Sequence, residues 1–274
     1  MKIYFFGDIH GNDYGLEACL EQIARVEPEE IYCLGDLAGW LPFGDRTLSR
    51  MRSLGFPTVA GNHDLMVAGL FKDNPGQLDR IEATAYNAGL LSTMPGAVEF
   101  LRTLPLSIER DNFFVTHHSP FHLPLEGAEP TIECFGYLNQ AALEDCLIEW
   151  SYFPKQIIFS GHDHVPAIYE LPGTLSEPPT PGDVKIHRPA PGKDLTIRLH
   201  LSSRYWVKAG SLAMNRDGIP MANAVLYDTE EETITLHRLP FSADRLRGEL
   251  ESHFFAPTLP AIRKYIDLLA GKGL

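Results

Sequence analysis

Five short segments of this 274-residue chain carry side chains that can ligate metal ions: Asp8-Ile9-His10, Gly35-Asp36, Gly61-Asn62-His63-Asp64, His117-His118 and Gly161-His162-Asp163-His164. Carboxylate and amide oxygens mixed with imidazole nitrogens suit manganese, iron or zinc, where a softer metal would call for thiolates. In Asp8-x-His10 and His162-x-His164 the donors stand one residue apart, so a single loop can aim both into one cavity. Glycine precedes Asp8, Asp36, Asn62 and His162, which permits the unusual backbone and close approach such turns need. Each segment alone is weak. A lone Asp-x-His is usually an ordinary loop, and His117-His118 reads equally as a solvated pair.

The elements around these segments show how they can meet. Residues 3–6 read as a strand, and Asn12 as the N-cap of a helix with Leu16, Leu20 and Ile23 on one face. A strand at 31–34, a helix at 46–54 and a strand at 58–60 continue an alternation that predicts βαβ units and a parallel sheet. Residues 64–103 read as mostly helical, 106–109 and 113–116 as a hairpin, 140–150 as a helix and 156–159 as a strand. Further strands are predicted near 167–171, 195–199, 205–208, 223–227 and 233–238. Every metal-type segment follows a predicted strand end, and in open α/β sheets ligands gather outside the carboxyl ends of the strands. Residues 172–194 hold Pro172, Pro178, Pro179, Pro181, Pro189 and Pro191, a composition that predicts a loop, either a lid or an excursion without structure of its own. With C-terminal helices at about 242–270 and no break in composition, residues 1–274 are expected to form one domain.

In this order the segments resemble the calcineurin-like metallophosphoesterase superfamily, in its small bacterial and archaeal phosphodiesterase-like branch. Ser119-Pro120, Val165-Pro166 and the stretch from Gly210-Ser211-Leu212 to Arg216-Asp217-Gly218 extend the likeness, which runs from Asp8 to about Pro240. The resemblance implies an α/β (mixed α+β) fold, a four-layer αββα sandwich of two mixed sheets flanked by helices. It also implies two divalent ions, manganese first and iron, zinc or nickel as alternatives. Asp8, His10 and His164 would hold one ion, Asn62, His117 and His162 the other, and Asp36 would bridge both together with a hydroxide that attacks phosphorus. His63 would stand near the leaving oxygen as general acid, and Asp64 would orient His63 or another ligand. Two ions about 3.5–4 Å apart activate water and stabilise the attacking and leaving oxygens, and an imidazole titrating near neutrality can protonate a departing alkoxide.

Three positions depart from the branch. His118 stands where a small residue is common and makes the rim bulkier. Lys208-Ala209 replaces an Asn-Pro-type pair. Leu37-Ala38-Gly39-Trp40 follows Asp36, unlike the Asp-Arg-Gly ending of the protein Ser/Thr phosphatase and diadenosine tetraphosphatase branch, so an Arg clamp for a phosphomonoester is missing. The expected reaction is therefore phosphodiester hydrolysis. The alternatives are a phosphomonoesterase or nucleoside-polyphosphate hydrolase, and a non-catalytic metal-binding scaffold, which would tolerate ligand losses that this chain does not show. Asn12, His118 and Arg216 are further candidates for substrate contact, with a surface salt bridge an equal reading of Arg216. Trp40 near the second segment reads as pocket lining or as packing.

The formal charge of −13, from 23 basic and 36 acidic residues, argues against nonspecific nucleic-acid or anionic-membrane binding, which needs clustered Lys and Arg. A small phosphate ester remains compatible, because bound metal inverts the local field. No apolar run approaches a membrane span of about 18 residues, and the apolar start stops short of a signal peptide. Cys19, Cys33, Cys134 and Cys146 lie far apart and are expected as free thiols in a reducing cytoplasm. The segment His253-Phe254-Phe255-Ala256 reads either as core or as the interface of a homo-oligomer.

Overall fold

The strand Lys2–Phe6 (β1) has no solvated face after its first residue, and its unbroken apolar run is what a strand covered on both sides requires. Ile3 and Phe5 point to one side, Tyr4 and Phe6 to the other. The computed structural model, which describes residues 1–125, 127–138, 140–173 and 178–272, sets the rest of the chain around this strand.

In chain order there follow α1 (Asp13–Val26), β2 (Glu30–Cys33), α2 (Gly44–Leu54), α3 (Asn62–Val67), α4 (Leu78–Ser92) and α5 (Ala97–Thr103). Next come β3 (Ser107–Glu109), β4 (Phe113–Thr116), α6 (Gln140–Ser151), β5 (Ile157–Ser160), β6 (Ala167–Leu171) and β7 (Lys185–His187). The chain closes with β8 (Leu195–Arg198), β9 (Arg204–Lys208), β10 (Ala222–Asp228), β11 (Thr233–Leu239), α7 (Ala243–Ser252) and α8 (Pro260–Leu269). One sheet has the order β2-β1-β10-β11-β8 and the other β3-β4-β5-β9-β6-β7. Both are mixed: β1 runs parallel to β2, and β4, β5 and β9 run parallel to one another, while the remaining pairs are antiparallel.

Three apolar clusters stack the layers. Phe5, Phe113, Phe159, Val207 and Val225 fill the space between the sheets, with the Phe5 and Phe159 rings 3.8 Å apart and nearly parallel. Tyr4 and Phe6 pack outward on Leu16 and Cys19 of α1 and on Leu48 and Met51 of α2. On the far side, Ile158 and Trp206 meet Leu143, Leu147 and Trp150 of α6. This is the expected αββα sandwich.

Two local expectations change. Residues 58–60 make only an isolated parallel bridge, Cys33 to Thr58, because three residues between Pro57 and Gly61 leave no room for a ladder before α3 begins at Asn62. The Pro-rich stretch is not wholly loop. Its proline-free triplet forms β7, which pairs with β6 as the edge of the second sheet, and His187 meets Glu170 at 2.9 Å. An edge strand needs only one ladder partner, which is why prolines on either side are tolerated. Residues 174–177 of that stretch lie outside the described residues. The four cysteines are free. In the segment that begins at His253, Phe254 is exposed while Ala256 is buried and Phe255 stacks on Tyr86 at 4.3 Å. No helix among the described residues is long and apolar enough to cross a membrane.

Candidate metal centre

Asp8 and His10 follow β1, Asp36 follows β2, His117 follows β4, and His162 and His164 follow β5, while Asn62 opens α3. Each strand end therefore delivers donors to one crevice between the sheets. The backbone is bent to do so. Asp8, His10, Asp36, His162 and His164 all have positive φ, between 48° and 70°, a region that costs a non-glycine residue about 1 kcal/mol or more. The turns hold because they are cross-linked. The Asp8 N–H donates to the Gly35 carbonyl, His10 N–H to Asp36, Gly161 N–H to His117 and Ala213 N–H to Asp8, all at 2.9–3.1 Å.

Two glycines are required by proximity. A Cβ on Gly61 would lie 2.0 Å from Asp36 Oδ1, and one on Gly161 would lie 2.2 Å from Asp8 Oδ2. Gly161→Ala is therefore expected to push Asp8 out of position and weaken metal binding about 10- to 100-fold. Calorimetric titration with manganese checks this, and wild-type affinity in the variant would contradict it.

The donors converge on Asp36. One ligand atom each from Asp8, His10, Asp36 and His164 falls within a mutual 4.8 Å, and all four residues are buried. His164 Nε2 lies 3.1 Å from Asp8 Oδ1, and His10 Nε2 lies 3.3 Å from Asp36 Oδ2. On the other side His117 Nε2 stands 3.4 Å from that same Asp36 oxygen. Asn62 Oδ1 lies 3.2 Å from His117 Nε2 and 3.0 Å from His162 Nδ1. Asp36 Oδ1 is turned away and accepts the His63 N–H at 2.9 Å. A single oxygen thus faces both donor sets.

Each of the four histidines has its other nitrogen on a backbone carbonyl: His10 Nδ1 on Ala38, His117 Nδ1 on Leu34, His164 Nδ1 on Met214 and His162 Nε2 on Phe135, at 2.6–3.2 Å. A carbonyl only accepts, so that nitrogen carries a proton, and whenever the ring is neutral the opposite one presents its lone pair to the cluster. Lone pairs then face lone pairs: His10 Nε2 and His164 Nε2 are 3.1 Å apart, and His162 Nδ1 meets the Asn62 oxygen. Buried acceptors crowded without donors repel one another unless positive charge stands among them, so the residues fit divalent ions.

The titration of the cluster expresses the same demand. Burial alone would raise the Asp36 carboxyl, yet His117, His63 and His10 hold it well below the usual carboxylate range. Burial also works against charge on His117, but Asp36 outweighs it and lifts that imidazole to about 9. Burial keeps His10 and His162 far below the ordinary histidine value.

The remaining expected residues divide. The His63 ring lies edge-on to His10 at 4.6 Å, and its buried Nδ1 has no hydrogen-bond partner. Burial lowers it to about 4. Asp64 does not reach the His63 ring. Its carboxylate accepts the N–H groups of Asp36, Leu37, Ala38 and Gly61 and so braces the loop that carries Asp36. Burial and the neighbouring Asp36 charge push Asp64 up to about 7 against the pull of those donors. Asn12 is not offered to a substrate: it caps α1 through its oxygen, which accepts from Gly15, and its amide nitrogen donates to the Leu212 carbonyl. His118 is buried edge-on to His162 at 5.1 Å with Nδ1 unpartnered. Arg216 is exposed and lies over the Tyr137 ring at 4.7 Å.

Tyr137 escaped the sequence reading. It stacks on His162 at 4.8 Å, but it belongs to no motif and follows an irregular turn at Ile132–Phe135, so nothing in its spacing singles it out. Trp40 does touch the centre, its ring 5.3 Å from that of His63.

The sequence pattern of the calcineurin-like phosphoesterases matches residues 1–166, the span that contains all seven donors. The chain belongs to the calcineurin-like phosphoesterase family. Members of this family are phosphate-ester hydrolases that depend on a dinuclear metal centre, and Asp8, His10, Asp36 and His164 form a candidate metal-binding cluster in this chain. A metallophosphoesterase from Sphaerobacter thermophilus shares the fold with a TM-score of 0.73 and 25% identity, covering 98% of this chain and 99% of that one. An uncharacterized protein of Methanocaldococcus jannaschii is 27% identical over 243 residues, 87% of each chain. A symmetrical bis(5'-nucleosyl)-tetraphosphatase of a Janthinobacterium species is 31% identical over 125 residues, 43% of each chain.

Proposed function

We propose that this phosphoesterase cleaves small phosphodiesters, with Asp8, His10 and His164 holding one divalent ion, Asn62, His117 and His162 a second, and Asp36 shared by both. The observation that carries this reading is the single oxygen, Asp36 Oδ2, placed between two sets of buried metal-type side chains, 3.3 Å from His10 Nε2 and 3.4 Å from His117 Nε2. Bound there, two divalent ions supply an activated water and the positive charge that a phosphoryl centre requires. The protein keeps the ligands in place: carbonyls fix four imidazole tautomers, and Asp64 fixes the Asp36 loop.

His63 is assigned the proton transfer to the leaving oxygen. Its ring lies edge-on to His10 at the cluster, and its buried Nδ1 has no hydrogen-bond partner. Its low affinity for a proton in the free site reflects burial first, and an incoming phosphate ester brings the negative charge that restores it. Leu37-Ala38-Gly39-Trp40 offers no Arg to grip a terminal phosphate, which favours diesters over monoesters. A nucleoside-polyphosphate substrate is the second reading, favoured by the similarity to the tetraphosphatase.

Manganese is the proposed ion. The free thiols suit a reducing cytoplasm, and the charge of −13 disfavours nucleic-acid polymers as partners. Manganese-dependent hydrolysis of bis-p-nitrophenyl phosphate, abolished by exhaustive chelation, is the expected result. Persistence after chelation would contradict it. Thermal scans give a check without turnover: at a hundredfold excess over Kd, manganese should stabilise the fold by about 2.7 kcal/mol. A melting temperature unmoved by manganese would count against a metal centre.

A further inference from the structure

A cavity of 360 Å³ opens beside the metal centre, lined among others by Trp40, Met214, Arg216, Ala261, Lys264 and Leu268. That volume lies within the range of small-molecule sites, about 300–1,000 Å³. Its position follows from three contacts. The Trp40 ring lies 5.3 Å from that of His63, the Met214 carbonyl accepts from His164 Nδ1, and the Arg216 N–H donates to the His164 carbonyl at 3.2 Å. The cavity therefore adjoins the side of the site where His63 stands. Apart from Trp40, its lining comes from the loop after β9 and from α8, beyond the span that matches the family pattern.

Its chemistry is divided. Trp40, Met214 and Leu268 give an aromatic and apolar wall. Arg216 and Lys264 are exposed, no carboxylate lines the cavity, and among the described residues neither cation forms an ion pair. On a chain of net charge −13, two cations left without counterions beside an aromatic wall complement a flat ring that carries an anion.

We propose that this cavity receives the nucleoside part of the leaving group, its base against Trp40 and Leu268 and a further phosphate on Arg216 and Lys264. This rests on the phosphoesterase reading above, in which His63 faces the leaving oxygen. Base-to-aromatic stacking strengthens binding about tenfold to a hundredfold per base, and a guanidinium grips phosphate through paired donors.

Calorimetric titration of the manganese-loaded protein with adenosine 5'-diphosphate, which has a second phosphate to place on Arg216 and Lys264, and with inorganic phosphate tests it. The nucleotide should bind at least about tenfold more tightly than phosphate, the equivalent of one stacked base. Ala261→Trp, which fills the cavity, should bring the two affinities together. Lys264→Glu, an exposed change on α8, should weaken the nucleotide about threefold or more while leaving phosphate unaltered. A nucleotide that binds no better than phosphate, or an advantage that survives both variants, would overturn the proposal. Hydrolysis of bis-p-nitrophenyl phosphate separates the two readings: turnover without a nucleotide advantage removes only the pocket, whereas a nucleotide advantage without ester hydrolysis removes only the enzymatic reading.

Discussion

Asp36→Asn is expected to reduce hydrolysis of bis-p-nitrophenyl phosphate by about a thousandfold or more, the scale of losing transition-state charge stabilisation from a dinuclear site. The side chain is isosteric, so the fold should survive, with a circular-dichroism spectrum matching wild type. What changes is the oxygen that faces both donor sets. Oδ2 stands 3.3 Å from His10 Nε2 and 3.4 Å from His117 Nε2, while Oδ1 must accept the His63 N–H. An amide can satisfy that N–H only with its oxygen, which turns its NH₂ group toward the metal ligands and sets a donor where a shared lone pair is needed. The variant should bind at least one equivalent of manganese less, measured by metal analysis after dialysis. Full metal content with wild-type turnover would contradict the role given to Asp36.

His63→Ala should separate catalysis from metal binding. His63 meets the cluster through its ring edge against His10 and through its backbone N–H on Asp36, and alanine retains that N–H. Metal content should therefore hold. Turnover should fall by about 10²–10⁴, the range of general acid catalysis, and the loss should be largest for esters with poor leaving groups, because p-nitrophenolate departs without a proton. Comparing alkyl and p-nitrophenyl esters of one phosphate tests this. An equal loss for both, or loss of metal, would show that His63 positions or ligates and does not donate a proton.

The side chains that meet around Asp36 were legible in the sequence because a candidate metal ligand must be of a definite chemical type, and strand ends in an α/β pattern bring such residues together. The sandwich was legible through the family resemblance, and the runs in β1 and β5, apolar on both faces, agree with it because they demand cover on both sides. What lay beyond reach was set by contacts between distant segments. Asp64 reads as a partner for His63 or another ligand, and only the fold shows its oxygens filled by N–H groups of the Asp36 loop. Asn12 reads as the N-cap of α1, which it is, and also as a candidate for substrate contact, yet its amide nitrogen is spent on Leu212, 200 positions away. The edge strand β7 was hidden by its prolines, and Tyr137 over His162 by an irregular backbone with no periodicity. The cavity of Trp40 depends on α8, whose approach no local pattern dictates.

Stepwise return of manganese to fully chelated protein, with hydrolysis of bis-p-nitrophenyl phosphate followed at each addition, tests the shared dinuclear centre most directly. Two equivalents per chain should be taken up, with turnover absent in the chelated protein and restored fully only as the second site fills. Full turnover in the chelated protein, or at a single bound equivalent, would contradict a centre in which Asp36 serves two ions.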